Sequence, residues 1–496
     1  MEDSSQRSIK IKSTSTNINR NNSLVSSAIL VKLSLGLGIL LTTLDLTAVL
    51  LSIYSIQSFF KVDPSTVQWI IISYLLVVIV FVNVSKNLTS RYSHKQIFQS
   101  GLIFFIFGSF VSVSASFFPN FFLLLILGRI VQGLGASGIL ASSGPLVSKY
   151  GPTENKDVVR SWNNVLFSTG LIIGPLIGGL LTTFINWQSV FITDSLVALV
   201  SLGLVSYTIP DSKSKRTGNI KNLDYYNIGL FISALAFILY GLSAIEKLNV
   251  TKSLTAIAFV MVGLYLFITF YSNQKKSKNP IINFNKIHYS SIALGLIINI
   301  IVFSLFFIIL FQLPILIQET YELPAIVAGL VIITTTISWV LVRFYAEKSN
   351  FIFYSKYILP VSFIALLLNF IAFIITTTGW FYWFLTVPFT ILFGIITGLI
   401  TVINENNVKK SIPTDIQDAA REILTASTFF GIALGIIIST LFLANFLPYY
   451  ADFYHRNIND WSVYIPSYQS TLLIGAATAF AGIIISFKGQ QMVNKT

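Results

Sequence analysis

Cysteine is absent from this 496-residue sequence, and histidine occurs only three times. Without cysteine the chain can form neither disulfides nor thiolate metal sites, and the scattered histidines are not spaced as metal ligands. The sequence also has no Walker motif and no combination of nucleophile, base or paired carboxylates typical of an active site. We therefore expect no enzyme activity, no catalytic or metal-binding residues and no cofactor.

Charged residues are scarce as well, at 10% of the chain, whereas 54% of the residues are hydrophobic. The mean hydropathy is +0.77. A soluble protein of this length could not bury so much apolar surface. The lipid bilayer is therefore the expected solvent for most of the chain.

Apolar runs long enough to cross a bilayer recur along the whole sequence. They are uniformly apolar rather than alternating, which predicts helices and excludes a barrel. We predict an all-α polytopic membrane protein with fourteen spans, at residues 33–54, 67–84, 97–116, 121–147, 162–185, 189–208, 225–246, 254–271, 291–314, 325–342, 355–375, 381–403, 420–444 and 468–487.

The net charge of +13 comes from basic residues in short loops. If the N-terminus is cytoplasmic, about 27 of the Lys and Arg fall in tails and inner loops and about 4 in outer loops, as the positive-inside rule requires. This distribution favours an even number of spans with both termini cytoplasmic. It does not suggest a nucleic-acid partner.

Two polar segments suggest the organisation of the chain. Residues 1–32 are rich in Ser, Asn and Thr and predict a disordered cytoplasmic tail. Residues 209–224 form a basic, turn-rich cytoplasmic linker between a six-helix first part and an eight-helix remainder. A short cytoplasmic tail, 488–496, follows the last helix.

Few ionisable residues lie inside the predicted spans. A charge inside the membrane is energetically costly, so each of these residues requires a structural or functional explanation. Asp45, in LLTTLDLTAVLL of the first helix, could take up and release a proton, or it could be a polar residue satisfied by nearby threonines or another helix. Arg129, in LILGRIVQGLGASG of the fourth helix, could compensate an anionic partner or bond to backbone carbonyls. Both interpretations stay open for each residue.

Other acidic residues lie closer to the ends of predicted helices. Asp194, in WQSVFITDSL of the sixth helix, could be a second titratable group, but we favour a polar residue near the surface. Glu246, Glu319 and Glu322 are expected to be solvated at the outer interface. Glu405 is expected to cap a helix end.

The fifth helix contains GLIIGPLIGG. Its Gly170, Gly174, Gly178 and Gly179 lie on nearly one face and allow another helix to pack closely, while Pro175 removes a backbone donor and bends the helix. In the fourth helix, Gly133 belongs to a similar run of small residues. Glycine repeats are common in membrane helices and do not define a function alone.

Taken together, these stretches resemble the major facilitator superfamily, and in particular its fourteen-spanner drug:proton antiporter branch. LGRIVQGLGASG is similar to the fourth-helix Arg motif of the superfamily, and GLIIGPLIGG to the fifth-helix antiporter motif. LTTLDLTAVLLSIY followed by VQWIIISYLL resembles the opening signature of the branch. The resemblance covers nearly the whole chain and suggests a fungal-type member, related to multidrug and vacuolar basic amino acid transporters.

This resemblance implies two six-helix bundles, 33–208 and 291–487, with two extra central helices in 225–271 and alternating access around a midplane cavity. Asp45, Arg129 and Asp194 would couple proton and substrate movement, with the proton gradient as the energy source. The glycines and Pro175 would serve packing and gating. Candidate residues of the cavity are Gln68, Trp69, Tyr74, Gln132 and Gln312.

The sequence departs from the family pattern in the loop between the second and third helices, KNLTSRYSHKQ. Ser90 stands where the family has Asp, so a carboxylate lock is missing, while Arg91 and Lys95 keep the basic character. Gln188 replaces a usual Arg, Asp194 a usual Asn, and Thr428 an Arg that is frequent in the thirteenth helix.

The leading hypothesis is a monomeric, proton-coupled antiporter that moves small cationic or amphiphilic molecules, such as drugs and toxic compounds, out of the cytosol. An alternative within the same fold is a vacuolar importer of basic amino acids, so the membrane could be the plasma or the vacuolar membrane. A non-transporting membrane sensor or scaffold is the alternative from another class. The composition, rich in Lys, Asn and Ile, hints at a eukaryotic microbe.

Overall fold

The computed structural model describes residues 2–493 except 90, 151–155, 212–223, 246–249, 278–279, 281–283, 285–289, 349–356, 377–381, 414–416 and 455–460. Within these limits every regular element is helical, and fourteen helices are long and apolar enough to cross a membrane. The predicted number of spans and the helical fold class are confirmed. Each helix satisfies its own backbone hydrogen bonds, as the bilayer interior demands.

The fourteen long helices are labelled in chain order. They are α1 Glu2–Phe60, α2 Trp69–Leu88, α3 His94–Ser114, α4 Phe122–Tyr150, α5 Lys156–Phe184, α6 Gln188–Thr208, α7 Tyr225–Ser243, α8 Val250–Lys276, α9 Ser290–Ile315, α10 Ala325–Lys348, α11 Ile358–Thr376, α12 Tyr382–Lys410, α13 Gln417–Tyr454 and α14 Trp461–Val493. Short pieces extend three of them: Pro64–Val67 precedes α2, a 3-10 turn Ala115–Phe117 follows α3, and a π-helical turn Leu316–Thr320 follows α9.

The N-terminal segment differs from the prediction of a disordered tail, because the backbone of α1 is helical from Glu2. No glycine or proline interrupts the first 35 residues, so nothing in the sequence breaks the helix before its apolar part. The part of α1 that could span the membrane is Leu30–Phe60. The predicted linker 209–224 lies largely outside the described residues, since 212–223 are not described.

The helices form two bundles with the same packing pattern. In the first bundle α1 packs on α5, α2 on α4 and α3 on α6; in the second, α9 packs on α13, α10 on α12 and α11 on α14. Adding eight to each helix number converts one set of pairs into the other. The chain is therefore an internal repeat of six helices with α7 and α8 inserted between the copies.

Close glycine contacts occur at equivalent places in both copies. In the first bundle, a Cβ added to Gly170 or Gly174 of α5 would lie 2.8 Å from the carbonyl oxygen of Leu40 or Leu44 of α1. Only glycine lets the backbones of these two helices approach so closely. The four-residue spacing on both helices keeps one turn of α5 against one turn of α1.

The second bundle has the same contact between α13 and α9. A Cβ added to Gly431 would lie 2.8 Å from the carbonyl oxygen of Ile300. A Cβ added to Gly435 would clash with the carbonyl oxygen of Ser304. The four-residue spacing recurs on both helices. The glycine seam is therefore part of the repeat.

The inserted helices α7 and α8 pack on each other, and α7 also contacts α2 and α13. The rings of Trp69 on α2 and Tyr240 on α7 lie 6.1 Å apart. The pair thus lies beside one seam between the bundles, α2 against α13, while α5 against α10 forms the other.

The two faces of the molecule are named by the ends of α1. The inner face is the one where the spanning part of α1 begins at Leu30, and the outer face is the one where α1 ends at Phe60. Because the described spans are fourteen, α14 ends on the inner face, near Phe487.

Candidate coupling site

Asp45 and Arg129 form an ion pair inside the first bundle. Nη1 of Arg129 lies 2.6 Å from Oδ1 of Asp45, and both side chains are completely buried. The same Nη1 donates to Oε1 of Gln132 at 2.8 Å, and Nε of Arg129 donates to the carbonyl oxygen of Ile70 at 3.0 Å. A charge buried this deeply is tolerated only when it is paired and hydrogen-bonded. Both interpretations of Arg129 therefore hold, since it binds an anion and a backbone carbonyl together.

The threonines around Asp45 do not satisfy it. Thr42, Thr43 and Thr47 donate to carbonyl oxygens of α1 itself, at 2.8, 3.1 and 3.1 Å. The partner of Asp45 comes instead from α4, 84 residues later in the sequence.

Aromatic rings enclose the guanidinium. Arg129 lies over the ring of Tyr74 at 4.6 Å from its centroid, and 5.7 Å from that of Phe191. A ring face attracts a cation more strongly when water is excluded. The hydroxyl of Tyr74 donates to the carbonyl oxygen of Thr42 at 3.2 Å, which fixes the ring between α1 and α4.

Asp194 lies beside this pair and is also completely buried, so the favoured interpretation as a near-surface residue is wrong. Phe191, one turn before Asp194 on α6, contacts Arg129, and neither carboxyl oxygen of Asp194 has a donor among the described residues. From Phe191 onward the buried residues of α6 recur every three or four positions, at Phe191, Asp194, Ala198, Ser201 and Val205. This helical stripe was the sequence signal that could have placed Asp194 inside.

Gln132 connects the pair to α3. Its Nε2 donates to Oγ of Ser109 at 2.6 Å while its Oε1 accepts from Arg129. At the next residue, a Cβ added to Gly133 would lie 2.8 Å from the carbonyl oxygen of Tyr74. The small residue after Gln132 thus lets α4 approach α2 and brings Arg129 into reach of α1.

The four glycines of α5 serve two different neighbours, which corrects the expectation of a single contact face. Gly170, Gly174 and Gly178, spaced by four, all pack on α1. Gly179 packs on α10, where its Cβ would lie 3.0 Å from the carbonyl oxygen of Ala325. One residue is about 100° around a helix, so Gly179 must face a different partner from Gly178.

Pro175 takes part in the same seam between α5 and α10. A Cβ added to Gly329 would lie 2.5 Å from the carbonyl oxygen of Pro175. The predicted packing residues of α5 therefore join the two bundles as well as stabilising the first.

Gln68 and Gln312 are both buried but contact different parts of the molecule. Gln68 accepts a hydrogen bond from the hydroxyl of Thr440, and this bond connects the first bundle to the second. Nε2 of Gln312 donates to Oγ1 of Thr471 at 2.7 Å, within the second bundle. Oε1 of Gln312 has no partner among the described residues.

Trp69 lies beside the inserted helix pair. It is half-buried and packs against Tyr240 of α7. Of the five predicted cavity residues, Tyr74 and Gln132 surround Arg129, Gln68 and Gln312 are polar groups buried elsewhere, and Trp69 binds the inserted helix pair.

The hydrogen bonds described between the two bundles, and the contact of Gly329 with Pro175, lie between the level of Pro175 and the outer face. The backbone N–H of Ile326 donates to Oγ1 of Thr183 at 3.0 Å, and Nε2 of Gln318 donates to the carbonyl oxygen of Leu51 at 3.3 Å. The bond between Gln68 and Thr440 lies on the same side. These contacts close the bundles together between Asp45 and the outer face.

A cleft of about 650 Å³ opens above this closure, at the outer ends of α1, α5 and α9. Its lining residues include Glu319 and Glu322, which were expected to be solvated. Glu322 is exposed, whereas Glu319 is partly buried. The residues lining the cleft are Tyr54, Ser55, Thr182, Thr183, Gln318, Glu319, Glu322, Leu323, Pro324 and Ala325.

On the inner face two ion pairs were not foreseen. Glu405 was expected to cap a helix end. Its carboxylate instead accepts two hydrogen bonds from the guanidinium of Arg343, from Nη1 and from Nη2, both at 3.1 Å. Lys95 binds Asp211 at 2.7 Å, which ties the start of α3 to the end of α6. Ser90, the position of the missing carboxylate lock, and Glu246 lie outside the described residues.

The sequence pattern of the Major Facilitator Superfamily matches residues 33–436. The chain belongs to the major facilitator superfamily. It is therefore a multi-pass membrane transporter and not an enzyme, and like other transporters of this superfamily it binds small-molecule substrates.

Curated relatives of low identity include bacterial transporters. The riboflavin transporter RibZ of Clostridioides difficile is 23% identical over 450 residues, which cover 91% of this chain and 95% of RibZ. Multidrug resistance protein 3 of Bacillus subtilis is 26% identical over 306 residues, which cover 61% of this chain and 57% of that protein. The fungal origin and the antiporter branch stay predictions.

Solved structures of the superfamily share the fold. A bacterial homologue of the human lysosomal transporter Spinster matches with a TM-score of 0.63 at 13% identity, covering 95% of this chain and 98% of that one. A D-xylose–proton symporter matches with a TM-score of 0.60 at 12% identity, covering 91% and 97%. At these identities the likeness extends to the fold alone.

Proposed function

We propose that this transporter is a proton-coupled antiporter of the fourteen-spanner drug:proton branch, which exports small cationic or amphiphilic molecules from the cytosol. The observation that carries the proposal is the buried ion pair of Asp45 and Arg129 between α1 and α4. An acid in the middle of a membrane protein is costly and marks a proton or ion pathway by default. The fourteen described spans and the motifs around Asp45, Arg129 and Gly174 support the branch.

The ion pair suggests how a proton and a solute compete. While Asp45 is ionised, Arg129 neutralises it and holds α4 to α1. When a proton neutralises Asp45, the bond to Arg129 weakens, and the guanidinium keeps its contacts with Ile70 and Tyr74. Protonation therefore changes how α1, α2 and α4 hold together, which is the coupling that antiport needs.

The contacts at the outer face suggest which state of the transport cycle this conformation represents. The bonds of Thr183 with Ile326 and of Gln68 with Thr440 hold the outer halves of the bundles together. We interpret this conformation as closed to the outside. Opening would break these bonds and bring Asp45 into contact with outer protons through the cleft of about 650 Å³.

The composition of the interior favours an amphiphilic solute. In the second bundle Phe306 stacks on Phe393 at 6.1 Å, and Phe307 and Phe311 are buried nearby in sequence. Aromatic walls bind flat apolar groups and attract cations. Relatives named as multidrug resistance and riboflavin transporters agree with solutes of this kind.

One observation favours a second substrate class, the basic amino acids, imported into a vacuole. The site holds two carboxyls, Asp45 and Asp194, for one guanidinium. An excess negative charge suits a solute with a cationic side chain. For both substrate classes the solute leaves the cytosol. We also expect the transporter to be a monomer with both termini in the cytoplasm.

The test uses purified protein in liposomes with an imposed pH gradient and ethidium as the probe. We expect ethidium uptake to rise several-fold when the gradient is imposed, and the Asp45→Asn variant to lose this response. Asp63→Asn is the matched control, because Asp63 is an exposed acid in the outer loop after α1. Ethidium flux that ignores the gradient in the unmodified protein, or survives unchanged in Asp45→Asn, would contradict proton coupling.

A further inference from the structure

The cleft at the outer face is lined by oxygen atoms that lack a hydrogen-bond donor. Glu319 and Glu322 both line it, and Oε2 of Glu319 is buried with no partner among the described residues. Gln318 lines it as well, although this side chain is only 7% exposed. Both hydrogen bonds described for Gln318 use Nε2, so its carbonyl oxygen Oε1 accepts none of them. Buried acceptors without a donor are rare in folded proteins, and each needs an explanation.

A π-helical turn places two of these groups next to each other. The turn Leu316–Thr320 follows α9 and carries Gln318 and Glu319. Single π-helical turns occur frequently at functional sites. The backbone then bends at Glu322, whose φ of 52° lies in the left-handed region that few residues other than glycine adopt. Residues before and within this bend therefore line the same cleft.

The lining of the cleft favours a ligand that is positively charged and donates hydrogen bonds. It combines two carboxyls, an amide oxygen and Tyr54, and no lysine, arginine or histidine is among the described residues that line it. Carboxylates accept strong hydrogen bonds from guanidinium and ammonium groups, and aromatic rings attract cations.

The size of the cleft indicates an organic cation rather than a metal ion. Its volume of about 650 Å³ lies in the range of about 300–1,000 Å³ that small-molecule sites occupy. Among the described residues no three side chains of His, Cys, Asp or Glu come together as metal ligands. An organic cation is large enough to reach the acids and the aromatic residue together.

The cleft belongs to both bundles, which connects its occupancy to the transport cycle. Its lining residues at 54–55 and 182–183 come from the first bundle, and those between 318 and 325 come from the second. Thr183 and Gln318 also make the hydrogen bonds that close the outer face. Separation of the bundles would therefore divide the site. A ligand that binds one conformation better shifts the equilibrium toward that conformation.

We propose that the outer cleft binds an organic cation with a guanidinium, amidinium or ammonium group, and that this ligand holds the outer closure shut. Glu319 and Glu322 accept the N–H groups of the cation, and Oε1 of Gln318 accepts a further hydrogen bond. The bound cation connects the two bundles and fills the opening that leads toward Asp45. The site is separate from the ion pair of the first bundle, and the inference does not depend on proton coupling.

Binding is tested by isothermal titration calorimetry of the purified full-length protein with benzamidine, an amidinium, and with its neutral analogue benzamide. We expect benzamidine to bind and benzamide not to bind at the same concentrations. Glu319→Gln should weaken the affinity for benzamidine by about tenfold or more, because it removes a hydrogen bond to a charged group.

The matched control for binding is Asp63→Asn, since Asp63 is an exposed acid of the outer face that does not line the cleft. It should leave the affinity for benzamidine unchanged. Absence of benzamidine binding to the unmodified protein, or equal affinities for benzamidine and benzamide, overturns the proposal whether or not the variants fold. An unchanged affinity in folded Glu319→Gln also overturns it.

The effect on the closure is tested with a single introduced cysteine, because the chain has none of its own. Thr440 is completely buried and bonds Gln68 across the other seam, outside the cleft. In Thr440→Cys the thiol should therefore react with a membrane-impermeant maleimide only when the bundles separate at the outer face.

We expect external benzamidine to slow this labelling several-fold in proteoliposomes, and benzamide to leave its rate unchanged. When Thr440→Cys is combined with Glu319→Gln, benzamidine should no longer slow the reaction. Labelling that benzamidine does not slow, or that both compounds slow equally, overturns the claim that the ligand holds the closure shut.

Discussion

The guanidinium of Arg129 lies between the carboxylate of Asp45, 2.6 Å away, and the ring of Tyr74, with 4.6 Å to its centroid. Three helices, α1, α2 and α4, thus meet at one cation. Because the cation is completely buried, each contact contributes more than it would in water. The stability of the first bundle and its response to a proton therefore depend on the same group of atoms.

Replacing Arg129 should destabilise the protein strongly. Arg129→Ala leaves Asp45 buried without a partner, and breaking a buried pair in this way costs about 3–5 kcal/mol. We expect a clear fall in the melting temperature of the detergent-solubilised protein. The melting temperature of Arg129→Lys should fall less, since lysine keeps the positive charge. Lysine loses the guanidinium that hydrogen-bonds both Ile70 and Gln132.

The control is Arg91→Ala, because Arg91 is exposed at the inner loop after α2. Its replacement should change the melting temperature by no more than a surface substitution does. Equal melting temperatures for Arg129→Ala and Arg91→Ala would show that the ion pair does not stabilise the fold.

The glycine seam between α5 and α1 should not tolerate even a methyl group. A Cβ on Gly174 would lie 2.8 Å from the carbonyl oxygen of Leu44, so Gly174→Ala must push the helices apart. We expect a lower melting temperature and reduced ethidium transport. Gly203→Ala is the matched control, because nothing lies within 4 Å of the new Cβ. There the alanine should be neutral or stabilise α6 by up to about 1 kcal/mol.

The absence of cysteine makes the outer closure directly testable. The pair Thr183→Cys and Ile326→Cys joins α5 to α10 across the bundles, where the native residues already bond at 3.0 Å. Oxidation should form a disulfide that stops transport by preventing the bundles from separating, and a reducing agent should restore it.

A matched disulfide within one bundle separates gating from general damage. Ser52 and Thr182 bond at 2.6 Å between α1 and α5, which belong to the same bundle. The pair Ser52→Cys and Thr182→Cys should leave transport unchanged when oxidised. If both disulfides block transport equally, the bundles do not move as rigid bodies.

The sequence was sufficient to predict the spans, because each apolar run is closed by polar residues and lipid permits only helices there. It also indicated Asp45, Arg129 and the glycines of α5 as important, since charges and small residues are exceptional inside spans. It could not pair Asp45 with Arg129, because a separation of 84 positions in the sequence leaves the packing of α1 and α4 open. Sequence separation carries no information on such contacts.

Other side chains were misplaced for reasons of packing. Asp194 was assigned to the surface from its position near a helix end, although the stripe from Phe191 to Val205 places it inside. Glu405 was assigned to a cap, while Arg343 on another helix binds it at 3.1 Å. In each case the deciding partner lies on a helix distant in sequence.

The central claim is that Asp45 couples the movement of a proton to that of a solute. The most direct measurement follows protons and solute together, in proteoliposomes that contain a pH-sensitive dye and receive ethidium on one side without any imposed pH gradient. We predict that ethidium entering down its own gradient drives protons out, and that Asp45→Asn abolishes this proton movement. Ethidium entry without proton movement in the unmodified protein would contradict the account.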